Sequence, residues 1–459
     1  MRLLNTHSSS RGGTFQVKRS STRRPSFAVS ADGHGLVNHA GAAALRELAD
    51  RLGYTRALCD GLDPRHAPRA VHHPGAVLTD LVVSIADGGD CLSDLSVIRD
   101  QPDLFGQVAS TPTAWRVIER LQEADLDQLR GARRHLRQRA WQKAGTPELL
   151  VLDIDATLVT AHSDKERASG NYKHGFGFHP LTGFLEATGE AMAAILRPGS
   201  AGSNTIKDHV EVFNLACQQL PEWVHDDPLL VRCDSAGATH KFLEAVRGRE
   251  HTKFSVGFDL REEVREAILA VPEERWTPAI DQDAEEREGA DVCELLDLDL
   301  GAWPSGTRAI CRRERPHPGA QLSFTDHEGW RFQVFITDQE DSDLALLEAR
   351  HRARARCEDQ IRCAKDTGLR AFPFRDFLAN QIWLELVLAA HDLLCHFRRI
   401  ALSGQAQLWE PGTLRYRLLH TAGRLVHRAR QTILRLQRNW PWTELLATAF
   451  ARIRELPTT

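Results

Sequence analysis

Residues 149–164, LLVLDIDATLVTAHSD, hold the pattern that decides the fold of the chain. The apolar and partly β-branched first half predicts a buried strand, which ends on two carboxylates, Asp153 and Asp155. Because side chains alternate along a strand, both carboxylates lie on the same face of it. Acids at the end of a buried strand are typical of two kinds of enzyme site: one in which an aspartate is the nucleophile, and one in which aspartates bind metal ions.

The stretch lies where helical sequence gives way to mixed sequence. Apolar residues before it have helical spacing, whereas strands and helices follow one another after it, which predicts an α/β core. Six segments are expected: a disordered basic arm (1–33), a helical region (34–145), the first part of the core (146–250), a β-rich insertion (251–336), the second part of the core with a long helix (337–402) and a basic helical C-terminal region (403–459).

The bulk composition is that of an ordinary globular protein, with 42% hydrophobic and 26% charged residues. The formal net charge of −4 hides local segregation, since residues 413–438 carry seven arginines and no acid, whereas residues 281–299 carry nine acids and one arginine. Nine cysteines without a C-x-x-C pair predict neither a disulfide framework nor a structural zinc site. With no apolar run of about 18 residues, no membrane span is expected, and the cytoplasm is the default location.

A phosphatase is the first interpretation of the opening stretch. D-x-D-x-T at Asp153, Asp155 and Thr157 resembles the first motif of haloacid-dehalogenase-type phosphatases, in which Asp153 would be the nucleophile. That family also needs an acidic pair after a later strand to hold Mg²⁺. The next acid at a strand end is Asp234 in PLLVRCDSAGA (228–238), and no second carboxylate follows it there. The phosphatase site is therefore incomplete.

A cluster of charges on the long helix LALLEARHRARARCEDQIRCAKDTG (344–368) favours the other interpretation. At about 100° per residue, His351, Arg354, Glu358 and Lys365 fall within a stripe roughly 60° wide. Such a face can bind a metal ion through the glutamate while the neighbouring cations hold phosphates. The alternative is a solvated face with ordinary ion pairs, although further arginines such as Arg362 point in several directions and favour phosphate.

The motifs together resemble insertion-sequence DDE transposases. His351, Arg354, Glu358 and Lys365 are similar to the Y-R-E-K signature of that group, with histidine in place of tyrosine. Asp155 in D-x-T and Asp234 in R-x-D-S agree with the same order of acids. The segments GFGFHPLTGFLEATGE (175–190) and LRPGSAGSNT (196–205) are similar to linking segments of one branch, the IS thirteen-eighty family. The resemblance covers roughly residues 70–400.

The resemblance implies a ribonuclease H-like mixed sheet with flanking helices, interrupted by the β-rich insertion. Asp155, Asp234 and Glu358 would be the catalytic acids and bind two Mg²⁺ ions, for which Mn²⁺ could substitute. Asp153 would instead be a supporting acid or a hydrogen-bonding acid inside the strand. The expected partners are the double-stranded DNA of the terminal inverted repeats, bound by the helical region, and target DNA. A homodimer is expected in the synaptic complex, within a bacterial cytoplasm and associated with the nucleoid.

Further residues are expected to contact DNA. His351, Arg354, Arg362 and Lys365 would meet phosphates, and Trp330 is a candidate to hold an unstacked base, although a core tryptophan is the alternative. Asn204 and Lys207 precede or begin a helix, where backbone N–H groups suit a phosphate. The arginine run 415–438 would track DNA. A DNA-binding relic without activity remains a further alternative, which the three acids disfavour.

Overall fold

The computed structural model of the chain describes residues 27–65, 67, 69–202, 205–316, 326–429 and 431–457. Most of the predicted basic arm (1–33) therefore lies outside the described residues, and so does Asn204.

The first part of the described chain is helical, as its apolar spacing predicts. The helix Pro74–Ala86 shows how the sequence sets the limits of an element: His73 accepts a hydrogen bond from Gly75 N, Pro74 occupies the first turn, and Gly88 follows the end with a φ of 116°. The elements are β1 (Leu36–Val37), α1 (Ala42–Arg51), α2 (Tyr54–Leu62), α3 (Pro74–Ala86), α4 (Ser96–Arg99), α5 (Pro102–Phe105), α6 (Thr111–Arg120) and α7 (Leu126–Ala144).

The middle of the chain forms most of the strands. They are β2 (Leu150–Ala156), β3 (Val159–Thr160), β4 (Ser169–Gly170), β5 (Phe176–Phe178), β6 (Leu181–Leu185), β7 (Ala191–Ile195), β8 (Leu229–Cys233), β9 (Thr252–Phe258), β10 (Thr277–Ile280), β11 (Glu286–Glu294), β12 (Arg308–Glu314) and β13 (Arg331–Thr337). Three helices lie between them: α8 (Ile206–Gln219), α9 (His240–Arg247) and α10 (Glu262–Leu269). Strands β3, β5 and β4 form a small separate sheet.

Nine strands form one mixed sheet in the order β10-β11-β12-β13-β9-β8-β2-β6-β7. Strand β2, predicted from the opening stretch, is the third strand from the β7 edge, antiparallel to β6 and parallel to β8. Strand β8 is in turn parallel to β9. Since parallel strands end at the same edge of a sheet, the residues that follow β2 and β8 are brought together.

The segment predicted as a β-rich insertion (251–336) is rich in strands, but they continue the central sheet. Its first strand, β9, pairs with β8, so the predicted boundary at 251 separates two neighbouring strands of one sheet. Strand β13 then pairs with β9 in an antiparallel manner and joins the remaining strands to the sheet. The strands of this segment join the central sheet because an edge strand offers free backbone N–H and C=O groups, with which the next strand can form hydrogen bonds.

The long helix predicted over 344–368 is two helices, α11 (Leu344–Arg352) and α12 (Arg356–Ala364). A single turn of 3₁₀ helix at Ala353–Ala355 separates them, and nothing in those three residues explains the break. The prediction of one continuous helix was therefore wrong, and the angles of the charged stripe do not hold across the break. After α12 the backbone leaves helical geometry at Thr367, and Gly368 follows with a φ of 94°.

Helix α13 (Phe377–Ala401) is the core helix of the protein and packs against α3, α7 and β7. Asp376 caps it by accepting a hydrogen bond from Ala379 N at 2.7 Å. Among the described residues it is the one helix long and apolar enough to cross a membrane, yet 89% of its apolar window is buried inside the protein. Burial of that kind is the usual reason for an apolar helix in a folded core.

The helical region joins the core through buried charges of α7. Arg137 donates hydrogen bonds to Glu190 at 2.6 Å and to Asp392 of α13 at 2.7 Å. Arg133 binds Asp392 and Glu385, each at 3.0 Å. All five side chains are almost completely buried. Part of the basic half of α7 therefore holds two regions of the protein together rather than facing solvent.

The C-terminal region (403–459) was predicted to be helical, and this was wrong for its centre. It contains α14 (Pro411–Leu414), a hairpin of β14 (Gly423–Arg428) and β15 (Gln431–Leu436), and α15 (Thr443–Arg454). Strand β14 also pairs with β1, so both ends of the described chain share a three-stranded sheet. Leucine and arginine favour helices when isolated, but pairing with a distant strand overrides that preference here.

Candidate active site

Asp155 and Asp234 lie side by side at the carboxyl ends of two neighbouring strands of the central sheet. Asp155 is near the end of β2, and Asp234 comes directly after β8. The parallel register pairs Ile154 with Cys233, so the next residue of each chain segment is an aspartate. Asp234 accepts a hydrogen bond from Ala236 N at 3.0 Å, which fixes its carboxylate at the start of a short 3₁₀ turn. Gly257 of β9 allows this turn to approach, since a Cβ there would lie 2.9 Å from Ser235 N.

Glu358 belongs to α12, which packs against the strand that carries Asp155, β2. Its neighbour Cys357 is buried, and burial together with the nearby charges of Asp153 and Asp155 raises the pKa of that thiol. The Glu358 side chain itself is exposed, on the open side of the site. Cys357 is therefore on the packed side of α12, and Glu358 is on its exposed side.

The charges of Asp234 and Glu358 both act on Asp155. Burial is the largest cause that raises the pKa of Asp155, and the charges of Asp234 and then Glu358 raise it further. Arg354 and the hydrogen bond from Ala156 N act in the opposite direction. A carboxyl group whose pKa is raised by neighbouring negative charges is a feature of functional sites, because a stable fold alone gains nothing from such repulsion.

Asp153 has a different environment from Asp155, although both lie on β2. Its two carboxylate oxygens accept hydrogen bonds from the Arg232 guanidinium, both at 2.7 Å. The Asp153 side chain is buried, with 1% of its surface exposed, and burial raises its pKa to about 6 against the opposing effect of Arg232. Arg232 also lies 3.1 Å from Glu186. This contact agrees with the expectation of a hydrogen-bonding acid inside the strand.

A comparison with family models assigns the chain to a protein family. A family model described as "Transposase DDE domain group 1" matches residues 19–458. The chain belongs to this family of DDE transposases. No curated protein matches the chain. Among solved structures, the chain is similar to a cryo-EM structure of the piggyBac transposase synaptic complex with hairpin DNA. The two sequences are 9% identical and the TM-score is 0.42. The match covers 91% of this chain and 82% of the other chain.

Only some of the cationic residues predicted around the acids of this DDE transposase domain lie near them. Arg354 lies at the site, with its Nη1 atom 3.4 Å from Asp155 Oδ2. Lys365 donates a hydrogen bond to Leu158 O at 3.1 Å, and burial followed by the charge of Lys173 lowers its pKa. Lys365 and Lys173 thus bring two positive charges near the end of β2.

His351 does not supply a positive charge, contrary to the expectation from the stripe. Its ring stacks on Phe335 with centroids 4.3 Å apart, and its Nδ1 atom lies 2.9 Å from Ser255 Oγ. Burial, and then the nearby Arg354, Arg232 and Arg312, lower its pKa to about 3. The imidazole is therefore neutral at physiological pH and packs α11 against the sheet.

Other arginines of the two helices are paired with acids, two of which, Glu186 and Glu410, are distant in sequence. Arg362 binds Glu410 at 2.7 Å and Asp359 at 3.1 Å on the surface. Similar pairs are Arg350 with Asp341 at 3.0 Å and Arg356 with Glu186 at 3.0 Å. Sequence reasoning missed these acids, and Glu186 in particular, because the pairs form only in the folded chain. The surplus of arginine on the helix is much smaller than the sequence indicates.

Trp330 lies at the start of β13, far along the sheet from β2. Its half-buried ring is contacted by Arg315, whose guanidinium carbon is 3.9 Å from the ring centroid, and by Arg313 at 4.5 Å. Arg313 contacts Trp276 in the same way at 4.5 Å. A guanidinium already lies over the ring, so a base could stack on Trp330 only if it replaced that contact.

Proposed function

We propose that the chain is the transposase of an insertion sequence of the IS thirteen-eighty type. It would bind the terminal inverted repeats, hydrolyse phosphodiesters at the element ends, and join the freed 3′-hydroxyls to target DNA. The observation that carries this proposal is the parallel register of β2 and β8, which brings Asp155 and Asp234 to neighbouring strand ends, and the charges of Asp234 and Glu358 raise the pKa of Asp155. The layout of β2 beside a parallel β8, with α12 against β2, supports a ribonuclease H-like core.

The three carboxylates fit divalent metal ions. They are oxygen donors, which Mg²⁺ and Mn²⁺ prefer, and the positive charge of Arg354 lies 3.4 Å from Asp155. Asp155 would contact both of two ions, with Asp234 and Glu358 each holding one. Metal ions bound there would activate the attacking oxygen and stabilise the leaving oxygen. Arg354 would orient Asp155 and meet the phosphate that approaches the site.

The basic hairpin is a candidate DNA surface. Arg424 and Arg435 lie directly opposite each other on β14 and β15, and both are exposed. Within the described part of the chain, no acid lies within ion-pair distance of either. Like charges at facing positions of a hairpin repel each other and destabilise it. A phosphate bound between the two arginines would remove this repulsion. Two other members of the arginine run are engaged: Arg415 binds Ala86 O at 3.1 Å, and Arg417 lies over Trp409 and Trp442.

The phosphatase alternative finds little support in the geometry of Asp153. A nucleophile has to reach its substrate, but Asp153 is 1% exposed and both of its oxygens are bound by Arg232. Asp155, in contrast, is half-buried at the open edge of the sheet. The same two observations favour Asp155 as the metal ligand.

The experiment is a cleavage assay on DNA that carries the sequences flanking the coding region. With Mg²⁺, the wild type should cut at the element ends, whereas Asp155→Asn, Asp234→Asn and Glu358→Gln should each lower the rate by about a thousandfold or more, since each removes a ligand of the reacting centre. Asp359→Asn is the matched control, because Asp359 is exposed and adjacent to Glu358 on α12. End binding, measured by gel shift with Ca²⁺, should survive in all four variants. Full cutting by any of the three acid variants would remove that residue from the site.

A further inference from the structure

We propose that His39, Asp87 and His420 form a second metal site, separate from the three acids, that binds one Zn²⁺ or a similar divalent cation. Their ligand atoms all lie within 4.8 Å of one another. His39 precedes α1, Asp87 follows α3, and His420 lies between α14 and β14. The ion would connect three segments that are distant in the sequence.

The contacts between the three side chains already bring the donors together. His39 Nδ1 lies 2.5 Å from Asp87 Oδ2, and His420 Nε2 lies 3.4 Å from Asp87 Oδ1 and 2.9 Å from the backbone Asp87 O, a contact that it would exchange for the ion. The two imidazole rings have centroids 4.2 Å apart. The carboxylate thus lies between two nitrogen donors, with one oxygen towards each.

Asp87 carries the observation that points to a ligand. Its side chain is 94% buried, being 6% exposed, and its Oδ1 atom has no hydrogen-bond partner among the described residues. A buried carboxylate oxygen without a partner costs folding free energy, so it is uncommon unless something else satisfies it. A cation between Oδ1 and His420 Nε2 would do so. His420 is itself exposed, which leaves a path from solvent to the ion.

The donor set selects the kind of metal. Two imidazoles and one carboxylate are typical of zinc and other borderline cations, whereas Mg²⁺ prefers oxygen alone. Three protein ligands leave a fourth position for water. Binding requires neutral imidazoles, so the proton that lies between His39 Nδ1 and Asp87 Oδ2 would be released to solvent, along with that on His420 Nε2.

The backbone around the site is built for close approach. Ala40 N donates to Thr421 O at 2.9 Å, and Gly41 N donates to Leu419 O at 3.1 Å. A Cβ on Gly41 would lie 2.1 Å from Leu418 O, so only glycine lets these two segments meet. These bonds hold His39 and His420 in place, which lowers the ordering cost of metal binding. The ion would stabilise the junction at which both ends of the described chain meet.

The test is metal content after equilibration. Protein stripped with a chelator is incubated with one equivalent of Zn²⁺ in excess Mg²⁺, which occupies the acid site, and is then desalted and analysed by mass spectrometry for zinc. Wild type should retain about one zinc per chain, and His420→Gln less than a tenth of that. His34→Gln is the matched control, since His34 is exposed and outside the cluster, and it should retain the full equivalent. Asp155→Asn should also retain it, which separates this site from the acids.

Two results would overturn the proposal: less than a tenth of an equivalent in the wild type, or a full equivalent in His420→Gln. If circular dichroism shows that His420→Gln is unfolded, the visible absorption spectrum of Co²⁺ bound to the wild-type protein is measured instead. Four-coordinate Co²⁺ gives much stronger visible absorption than six-coordinate Co²⁺, so strong bands that Zn²⁺ abolishes are expected. Weak six-coordinate bands would show that the cluster is a hydrogen-bonded network without a metal role.

Discussion

Asp153 and Asp155 are two residues apart on one strand, and replacing each of them by alanine should have opposite consequences. Asp153→Ala should lower the stability of the fold, because it leaves the buried Arg232 guanidinium without its principal partner. Asp155→Ala should leave stability nearly unchanged or raise it, because it removes a charge that Asp234 and Glu358 oppose. Cleavage should nevertheless be lost in Asp155→Ala.

The size of the effect follows from the contacts of Arg232. Removing one partner of a buried ion pair costs about 3–5 kcal/mol. Glu186 remains 3.1 Å from Arg232 after the change, so the lower end, about 3 kcal/mol, is expected. That corresponds to roughly a hundredfold change in the unfolding equilibrium constant. For Asp155, the loss of like-charge repulsion should keep the change within about 1 kcal/mol of zero.

Urea denaturation followed by circular dichroism measures both changes. The protein is kept free of metal with a chelator, so that metal binding adds no stability of its own. With a denaturant slope of about 3 kcal/mol per molar, Asp153→Ala should lower the urea midpoint by about 1 M. Asp153→Asn, which keeps one hydrogen bond to Arg232, is the matched variant and should show a smaller decrease.

The opposite pattern would refute this reasoning. If Asp153→Ala unfolded at the wild-type urea concentration and lost cleavage, Asp153 would be the reacting carboxylate. A large loss of stability in Asp155→Ala would show that Asp155 holds the fold together, and the assignment of the two acids would have to be exchanged.

Three further outcomes are expected. Burial alone would raise the pKa of Glu190, but His396, Arg137 and Trp141 hold that pKa at about 2, below its ordinary 4.5. Glu190→Gln should therefore lose about 3 kcal/mol of stability above pH 4.5, and the loss should shrink as the pH falls towards 2. Urea midpoints measured across this pH range check the prediction. Replacing both Arg424 and Arg435 by alanine should lower the slope of log K against log salt for DNA binding by about 1.8, and an unchanged slope would exclude the hairpin from the interface. His351→Asn should leave that slope unchanged, since the imidazole is neutral, and a decrease of about 1 would show that it is charged.

The strand that carries the first acid could be predicted from local sequence alone. Residues 150–156 are apolar and β-branched, and the structure forms β2 there. The meeting of Asp155 with Asp234 could not be predicted in that way, because it depends on β8 pairing in parallel with β2, a contact between residues far apart in the chain. Resemblance to a known family supplied that step, not the residues themselves.

Two of the errors share one physical cause, which is tertiary contact overriding local preference. The hairpin of β14 and β15 is rich in leucine and arginine, which favour helices, but it pairs with β1 from the opposite end of the chain. The arginines of α11 and α12 were expected to meet phosphate, but Arg350 and Arg362 meet Asp341 and Glu410 instead. Charge counts within one segment cannot show where the compensating acids lie.

The most direct test of the account is to locate Mn²⁺ by anomalous diffraction in crystals of the protein. The account predicts two ions about 3.5–4 Å apart, with Asp155 contacting both and with Asp234 and Glu358 each contacting one. Mn²⁺ that bound elsewhere, or that contacted Asp153 in place of Asp155, would contradict the claim that these three acids form one catalytic centre.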